Sequence, residues 1–214
     1  MSFSSSVKNE LSRLDINESC CLLSELSAVL RVSGAIKVTS GGKIHIRIVT
    51  ENAAFARRVF SLVKKQYNVY PEVIIRKSKK LRKHVSYILA MYDPHLVKQL
   101  LDMSCIDYSS SINSGRRERY NSIENKINDF CCKKAYLRGA FLAGGSMSDP
   151  EKTYHLEITT RSLTIANEID MIMNSFDLNS KVIKRKNSYI VYLKEGENIV
   201  DFLNIIGAHT ALLE

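Results

Sequence analysis

The sequence predicts an α+β protein made of two copies of one αββαββα unit, each with an antiparallel sheet. Two observations carry this prediction: an internal repeat, and a helix rich in small residues at the start of each copy. Gly34 and Gly145 close those helices and lie 145 − 34 = 111 residues apart. Internal repeats are sought first because a repeat fixes the architecture. A chain of 214 residues is long enough for two lobes with substantial cores.

The helices that open the two copies are called the motif helices. The second contains LRGAFLAGG at 137–145, and the first contains LSAVLRVSG at 26–34. Gly139 costs a helix interior roughly 1 kcal/mol relative to alanine, so a close helix–helix contact must compensate. We predict that the two helices pack together, with Ser27 or Ala28 at the position equivalent to Gly139. The terminal glycines are expected to end the helices in a left-handed conformation.

The segments after the motif helices match in the same order. HIRIVT begins at 45 and HLEITT at 155, an offset of 155 − 45 = 110, whereas SYILAM at 86 and SYIVYL at 188 differ by 188 − 86 = 102. The smaller offset indicates a longer hairpin tip in the first copy. Isoleucines alternate with His45 and Arg47, which is typical of an antiparallel sheet with helices on one face and solvent on the other.

Local signals place the remaining elements. Serines 4–6 predict a capped N-terminal helix, Ser-Gly-Gly at 40–42 predicts a hairpin, Thr50 or Asn52 predicts a helix start, and Pro94 begins another helix. The first copy is predicted to have strands 35–39 and 43–49, a helix to 67, strands 73–77 and 85–91, and helix 94–101. The second is predicted to have strand 154–160, helix 162–176, strands 181–185 and 188–193, and helix 197–205.

The domain organisation follows from these elements. We divide the chain into an N-terminal helix (1–20), a first repeat (21–106), a linker (107–130) and a second repeat (131–214). The linker is assigned because DYSSSINSG is polar and contains glycine and serine. The final residues, GAHTALLE, resemble the beginning of another helix, so we expect the chain to be a piece of a longer protein.

The net charge of the chain indicates what kind of molecule it binds. Thirty-one basic and 22 acidic residues leave a net charge of +9, which favours nucleic acid or an anionic membrane surface. No apolar run approaches the ~18–20 residues of a membrane span, and the N-terminus lacks the apolar core of a signal peptide. We therefore expect a cytoplasmic protein that does not enter the membrane.

Four of the five cysteines form two adjacent pairs, Cys20-Cys21 and Cys131-Cys132. Each pair precedes a motif helix at an equivalent place. Neighbouring cysteines are poorly suited to a shared disulfide or metal, and no Cys-x-x-Cys occurs. We interpret them as small buried apolar residues and expect no metal and no cofactor.

The two nine-residue motifs resemble the LAGLIDADG motif of homing endonucleases. The longer stretch CCKKAYLRGAFLAGGS at 131–146, followed by YHLEI at 154–158, resembles the WhiA family of bacterial regulators, and the resemblance covers essentially the whole chain. It implies two pseudo-symmetric lobes whose sheets form a saddle over DNA. It also implies a role in transcription control, sporulation, cell division and chromosome segregation. In that family a helix-turn-helix domain follows, and the sequence here ends before it.

The resemblance also bears on catalysis. Active enzymes of this fold hold Mg²⁺ with one carboxylate from the end of each motif helix, because hard cations prefer oxygen ligands. The degenerate motif ends here are Ser33-Gly34 and Gly144-Gly145, which offer no carboxylate. We predict no catalytic residues and no enzyme activity. The nearby acids are interpreted as ordinary surface carboxylates; they are Asp149, Glu151 and Glu157.

DNA contacts are predicted on the solvent faces and hairpin tips of the two sheets, where basic residues recur at matching places. The candidates are Lys43, His45, Arg47, Arg76, Lys77, Lys79, Lys80, Arg82 and Lys83 in the first copy, and Lys181, Lys184, Arg185 and Lys186 in the second. Such contacts to phosphates give salt-dependent affinity and little sequence information. Glu157 stands where the first copy has Arg47, which weakens the prediction there. Arg31 and Arg138, inside the motif helices, are either structural or DNA-facing.

The leading prediction is a non-enzymatic domain that binds double-stranded DNA, acts as a monomer and associates with the nucleoid. Other regulatory proteins are kept as an alternative class of partner. One alternative is a protein–protein interaction module whose DNA contacts come only from a helix-turn-helix domain. The other is an active LAGLIDADG endonuclease, which Ser33 and Gly144 disfavour.

Overall fold

The computed structural model describes residues 2–77, 85–108, 118–148 and 154–210. The helices are α1 (Phe3–Leu11), α2 (Ser19–Ser33), α3 (Ala53–Tyr67), α4 (Pro94–Met103), α5 (Phe130–Gly144), α6 (Leu163–Asn174) and α7 (Gly196–Ile206). The strands are β1 (Gly34–Val38), β2 (Ile44–Thr50), β3 (Glu72–Lys77), β4 (Val85–Met91), β5 (Ile106–Asp107), β6 (Arg119–Tyr120), β7 (Gly145–Met147), β8 (Leu156–Thr160), β9 (Lys181–Arg185) and β10 (Ser188–Leu193).

Two four-stranded antiparallel sheets have the same strand order, β1-β2-β4-β3 and β7-β8-β10-β9. This confirms the predicted duplicated α+β architecture. In each sheet one face is apolar and packs on helices: Ile46 and Ile48 in the first are matched by Leu156 and Ile158 in the second, all at most 2% exposed. The αββαββα unit requires the strand β7, which continues directly from α5, although the sequence analysis gave no range for it.

Three helices begin at or next to the positions that the sequence predicts. The side chains of Asn52, Asp93 and Ser162 accept hydrogen bonds from the backbone N–H three residues on, at 2.9, 2.8 and 3.4 Å. The N-terminal helix differs from its prediction, because Ser2 rather than serines 4–6 caps it and it ends at Leu11. No helix in the described ranges is long and apolar enough to cross a bilayer.

The motif helices are α2 and α5, and they pack directly against each other. A Cβ atom on Gly139 would collide with the carbonyl oxygen of Glu25 and lie 3.0 Å from the Cβ of Ala28. Ala28 therefore faces Gly139, as one of the two predicted alternatives requires. The absence of a side chain at 139 lets the two backbones approach closely.

The glycines at the ends of the motif helices do not serve as left-handed caps, so that expectation was wrong. Gly34 has φ −67° and Gly145 has φ −80°, and both begin strands in an extended conformation. Glycine is required for space instead. A Cβ on Gly145 would overlap the ring and carbonyl of Phe141. Each helix therefore turns into its strand without an intervening loop.

Buried ion pairs join the two repeats. Arg31 on α2 donates to Glu168 on α6 at 2.5 Å and to the carbonyl of Ser104 at 2.7 Å. Glu25 on α2 accepts from Arg58 on α3 and, at 3.4 Å, from Arg138 on α5. Both motif-helix arginines are thus structural, which resolves the question that the sequence left open.

Part of the stretch predicted as a linker packs on the core. β5 pairs with β6, and a 3₁₀ turn spans Glu124–Lys126. Ile123 and Ile127 on either side of that turn are 1% and 3% exposed. Two apolar side chains therefore anchor this polar stretch in the core.

Candidate nucleic-acid interface

Each sheet has an inner face on the helices and an outer face away from them. Side chains alternate between the two faces along a strand. Arg47 pairs with Ala35 on β1 and with Ala90 on β4, and Ala90 pairs with Glu72 on β3. These four residues form one row across the first outer face. The equivalent row of the second outer face is Ser146, Glu157, Tyr192 and Lys181.

A cationic cluster lies on the first outer face, made of Lys37, His45, Arg47 and Tyr92. Lys37 and His45 are cross-strand neighbours, and the ring of His45 stacks on Tyr92 with centroids 4.8 Å apart. Arg47 donates to the hydroxyl of Tyr92 at 3.5 Å. His45 is only 5% exposed because these side chains cover it.

The electrostatics of this cluster favour a negatively charged ligand. Burial, together with the charges of Arg47 and Lys37, lowers the pKa of His45, so its ring is neutral at pH 7. Both ring nitrogens of His45 and Nε of Arg47 are buried without a hydrogen-bond partner. Buried polar groups normally have partners. An acceptor oxygen from a ligand would satisfy the Arg47 donor.

The carboxylate of the second outer face is paired. Glu157 contacts Nε2 of His155 at 2.9 Å and Nη1 of Arg185 at 3.6 Å. The side chain of Glu157 is 18% exposed, whereas that of Arg185 is 55% exposed. A carboxylate therefore occupies the place that Arg47 has in the first repeat and offsets the charge of Arg185.

The other predicted DNA-binding residues fall into three groups. Lys43, Arg76, Lys181 and Lys186 are exposed at the outer faces or in the turn between β9 and β10. The pairing of Lys77 with Val85 and of Lys184 with Tyr189 places those two lysines on the inner side of their edge strands, so they do not join the outer faces. The tip residues lie outside the described residues; they are Lys79, Lys80, Arg82 and Lys83.

A cleft lies where the two motif helices end, and both repeats line it. Ser33, Lys37, Thr159, Arg161 and Asn187 are among its lining residues. Basic side chains thus approach the cleft from both repeats. Lys37 also belongs to the cationic cluster, so the cleft is continuous with the first outer face.

Ser33 and Gly144, at the ends of the motif helices, carry no carboxylate. Ser33 donates its hydroxyl to the carbonyl of Val29 at 2.9 Å. A Cβ on Gly144 would lie 2.5 Å from the carbonyl oxygen of Thr159 and 2.6 Å from a methyl group of Val32. A carboxylate at 144 would therefore require the backbone to move.

One acid lines the cleft within the described residues, Glu118. Its carboxylate accepts hydrogen bonds from the hydroxyl of Tyr120 at 2.6 Å and from the backbone N–H of Ile36 at 3.3 Å. These contacts hold Glu118 against β1 and β6. A single carboxylate that is already engaged is a poor site for a hard divalent ion, which needs several oxygen ligands.

Sequence reasoning missed three residues of the interface: Lys37, Tyr92 and Arg161. The sequence could have predicted Lys37, because alternation from Ala35 puts it on the outer face of β1. Tyr92 follows β4 by one residue, and only the pairing of β2 with β4 brings it against His45. Arg161 follows β8 and reaches the cleft because the repeats meet there.

The cysteine pairs depart from their interpretation as buried apolar residues. Cys20 and Cys131 are exposed, Cys21 is partly exposed, and only Cys132 is buried. The packing of α2 against α5 brings both pairs together, with all four sulfur atoms within 4.8 Å of one another. Sequence spacing could not show this, because the pairs are 111 residues apart.

The fold and the paired helices define a class, the LAGLIDADG homing-endonuclease-like proteins. The chain is similar to the crystal structure of the N-terminal LAGLIDADG domain of DUF199/WhiA, with a TM-score of 0.73, 23% identity and coverage of 100% of this chain and 96% of that one. It is also similar to I-DmoI in complex with DNA and Mn, with a TM-score of 0.60, 13% identity and coverage of 90% and 99%. These likenesses establish the fold.

Family models match both repeats: the WhiA N-terminal LAGLIDADG-like domain over residues 19–106 and the WhiA LAGLIDADG-like domain over residues 133–214. The chain is 46% identical to the probable cell division protein WhiA of Alkaliphilus metalliredigens and 47% identical to that of Clostridium botulinum (strain Hall). It belongs to the WhiA family. All of this chain is covered in both matches, and it spans 67% of each relative's length.

Proposed function

We propose that this chain is a non-cleaving, double-stranded-DNA-binding domain of a transcriptional regulator that acts in cell division, sporulation and chromosome segregation. It acts as a monomer on the nucleoid. The observation that carries the proposal is the cationic cluster around His45, with its unpartnered buried nitrogens. Phosphate oxygens are the acceptors that such a surface favours.

Two further findings support a DNA ligand. Lys37 and Arg161 approach the cleft between the repeats from opposite sides. The similar structure of I-DmoI, a homing endonuclease, was determined in complex with DNA. A duplex lying across both outer faces would pass the cleft and reach the exposed cations of the edge strands.

The absence of cleavage is proposed from the ends of the motif helices. Ser33 uses its hydroxyl within its own helix, and Gly144 has no room for a side chain. Phosphodiester hydrolysis needs a metal ion to stabilise the charge on the scissile phosphate. The residues at these two positions supply no oxygen ligand with a negative charge.

The binding test is a salt titration of the 214-residue chain with a labelled duplex. We expect binding that weakens steeply with salt, since log K falls by about 0.9 per log unit of salt for each neutralised phosphate. The double variant Arg47→Glu/Arg76→Glu should flatten this slope by about 1.8. The matched control, Arg57→Glu/Lys98→Glu, carries the same charge change on exposed positions of α3 and α4 and should change the slope less.

Binding no stronger than that of a neutral protein at low salt would overturn the proposal, as would equal effects of the two double variants. The cleavage test incubates plasmid and duplex with the chain and Mg²⁺ or Mn²⁺. We expect no cut products. Metal-dependent cleavage that Glu118→Gln or Glu157→Gln abolishes would instead establish a nuclease.

A second candidate is a protein-docking module. It is favoured by apolar side chains exposed on the edge strands, with Val73 and Ile75 on β3 46% and 56% exposed and Ile183 on β9 40% exposed. Exposed edges of this kind can pair with another chain. If the salt titration shows no DNA affinity while the relatives' full-length proteins bind DNA, this candidate replaces the first.

A further inference from the structure

The four sulfur atoms at the N-terminal ends of the motif helices have the arrangement of a metal site. Cys20 and Cys21 lie in the first turn of α2, and Cys131 and Cys132 lie in the first turn of α5. Every sulfur is within 4.8 Å of every other, and the two sulfurs of the second pair are 4.0 Å apart. The fifth cysteine, Cys105, is outside the cluster.

These separations match one tetrahedral ion. A zinc–sulfur bond is about 2.3 Å, so four thiolates around one zinc lie about 3.8 Å apart and cannot exceed about 4.6 Å. The observed limit of 4.8 Å is close to that value without any ion to draw the sulfurs inward. An iron–sulfur cluster distributes its four cysteines over two or four irons, so the most distant sulfurs lie farther apart than around a single ion.

We propose that Cys20, Cys21, Cys131 and Cys132 bind one Zn²⁺ as a four-thiolate site that ties the first turns of α2 and α5 together. Four soft sulfur ligands in tetrahedral array select zinc over hard cations such as Mg²⁺. Such closed sites, with no open position, are structural rather than catalytic.

Zinc binding requires the thiolate forms of the four cysteines. Each thiol that coordinates the ion gives up its proton, so a fully reduced site releases four protons per zinc bound. The positive ends of both helix dipoles offset the double negative charge of a zinc–tetrathiolate centre.

The site is remote from the proposed DNA surface. Ser33 follows Cys20 by 13 positions along α2, and the two residues are therefore about 20 Å apart. Zinc would therefore join the two repeats at one end of the α2–α5 pair, while the cleft lies at the other end. The proposal stands or fails independently of DNA binding.

The test measures zinc uptake by the reduced 214-residue chain under anaerobic conditions, after chelation and removal of any metal. We expect one Zn²⁺ per chain, retained through buffer exchange, and a midpoint of thermal unfolding that rises with zinc, since a ligand that binds the folded state stabilises it. Replacing zinc with Co²⁺ should produce the sulfur-to-metal charge-transfer absorption of a tetrahedral thiolate site.

Two variants decide the result. Cys20→Ser/Cys131→Ser changes only exposed side chains, so its fold should be retained, and it should lose stoichiometric zinc binding. Cys105→Ser removes the remaining cysteine and should keep one zinc per chain. The single variant Cys20→Ser, with an expected loss of at least tenfold in zinc affinity, serves if the double variant fails to fold.

Several outcomes would overturn the proposal. They are an unmodified chain that takes up no zinc, equal uptake by the cluster variants and the unmodified chain, and a Co²⁺ adduct without thiolate absorption. If the reduced chain binds no zinc but forms disulfides between the two pairs in air, the cluster is a redox pair rather than a metal site.

Discussion

The two outer faces carry opposite charges at one equivalent position: Arg47 in the first repeat and Glu157 in the second. Around Arg47, the cations Lys37 and Arg47 border a neutral His45 whose nitrogens have no partners. Around Glu157, the carboxylate pairs with both His155 and Arg185. The first face is open to an anionic ligand, whereas the second has a carboxylate that is paired with its own neighbours.

The comparison of the two repeats shows that their inner faces have stayed alike, whereas polar positions have diverged. On the inner faces, Ile46 and Ile48 keep apolar counterparts because both sheets must bury that side against helices. The buried polar positions have diverged but still form pairs. Arg58 and Glu168 are equivalent (58 + 110 = 168), yet Arg58 binds Glu25 within its own repeat, whereas Glu168 binds Arg31 of the other repeat.

The largest expected effect comes from breaking the pair that crosses between repeats. Glu168→Gln leaves Arg31, whose side chain is fully buried, charged and without its counter-ion. Removing one partner of a buried pair typically costs about 3–5 kcal/mol. Urea denaturation should show a loss of that size. Glu197→Gln, an exposed control on α7, should change the free energy of unfolding by less than about 0.5 kcal/mol. A loss below about 1 kcal/mol for Glu168→Gln would contradict this account.

The next largest effect tests how closely the two motif helices approach each other at Gly139. Gly139→Ala places a methyl group against the carbonyl of Glu25 and beside Ala28. Overpacking of this kind costs about 1–3 kcal/mol, which the better helix propensity of alanine only partly offsets. Gly41→Ala, in an open turn, is the control. The free energies of unfolding can be compared by chemical denaturation, and equal values for the two variants would show that the crossing is not tight.

A smaller effect is expected from reversing the charge of Glu157 on the second outer face. Glu157→Arg should make the second face resemble the first, releasing Arg185 from its carboxylate and adding a cation. We expect duplex affinity to rise and the salt slope to steepen by about 0.9 for each phosphate gained. Glu195→Arg, an exposed position after β10 with the same charge change, is the control. A Glu157→Arg variant that binds DNA no better than the control would show that the second face does not contact DNA.

The smallest effect concerns pH. Because the pKa of His45 is lowered in the folded state, the unfolded chain takes up that proton first as pH falls below about 6.5. Stability is therefore full above that pH and declines through the lowered pKa. His45→Gln should reduce the loss in the free energy of unfolding between pH 7.5 and pH 5.5, measured in urea. An unchanged pH dependence in the variant would show that His45 titrates normally.

Much of the architecture was accessible from local patterns. The repeat and the alternation in β2 predicted the two antiparallel sheets, and Asn52 and Ser162 marked where two of the helices begin. These signals are local because a strand or helix shows its buried face through its own period. The errors concern residues whose role depends on their packing. Gly145 leaves space for Phe141, and Ile123 is buried although the stretch around it is polar.

The sequence by itself determined the duplication, the helix pair at its centre and the lack of carboxylates at Ser33 and Gly144, because these are properties of residue type and spacing. Only the tertiary structure decided that Lys77 and Lys184 leave the outer faces, that Glu157 contacts Arg185 and that two cysteine pairs meet. Strand register sets the first two outcomes, and the crossing of α2 and α5 sets the third. The crossing arises from contacts between segments about a hundred residues apart, which no local pattern records.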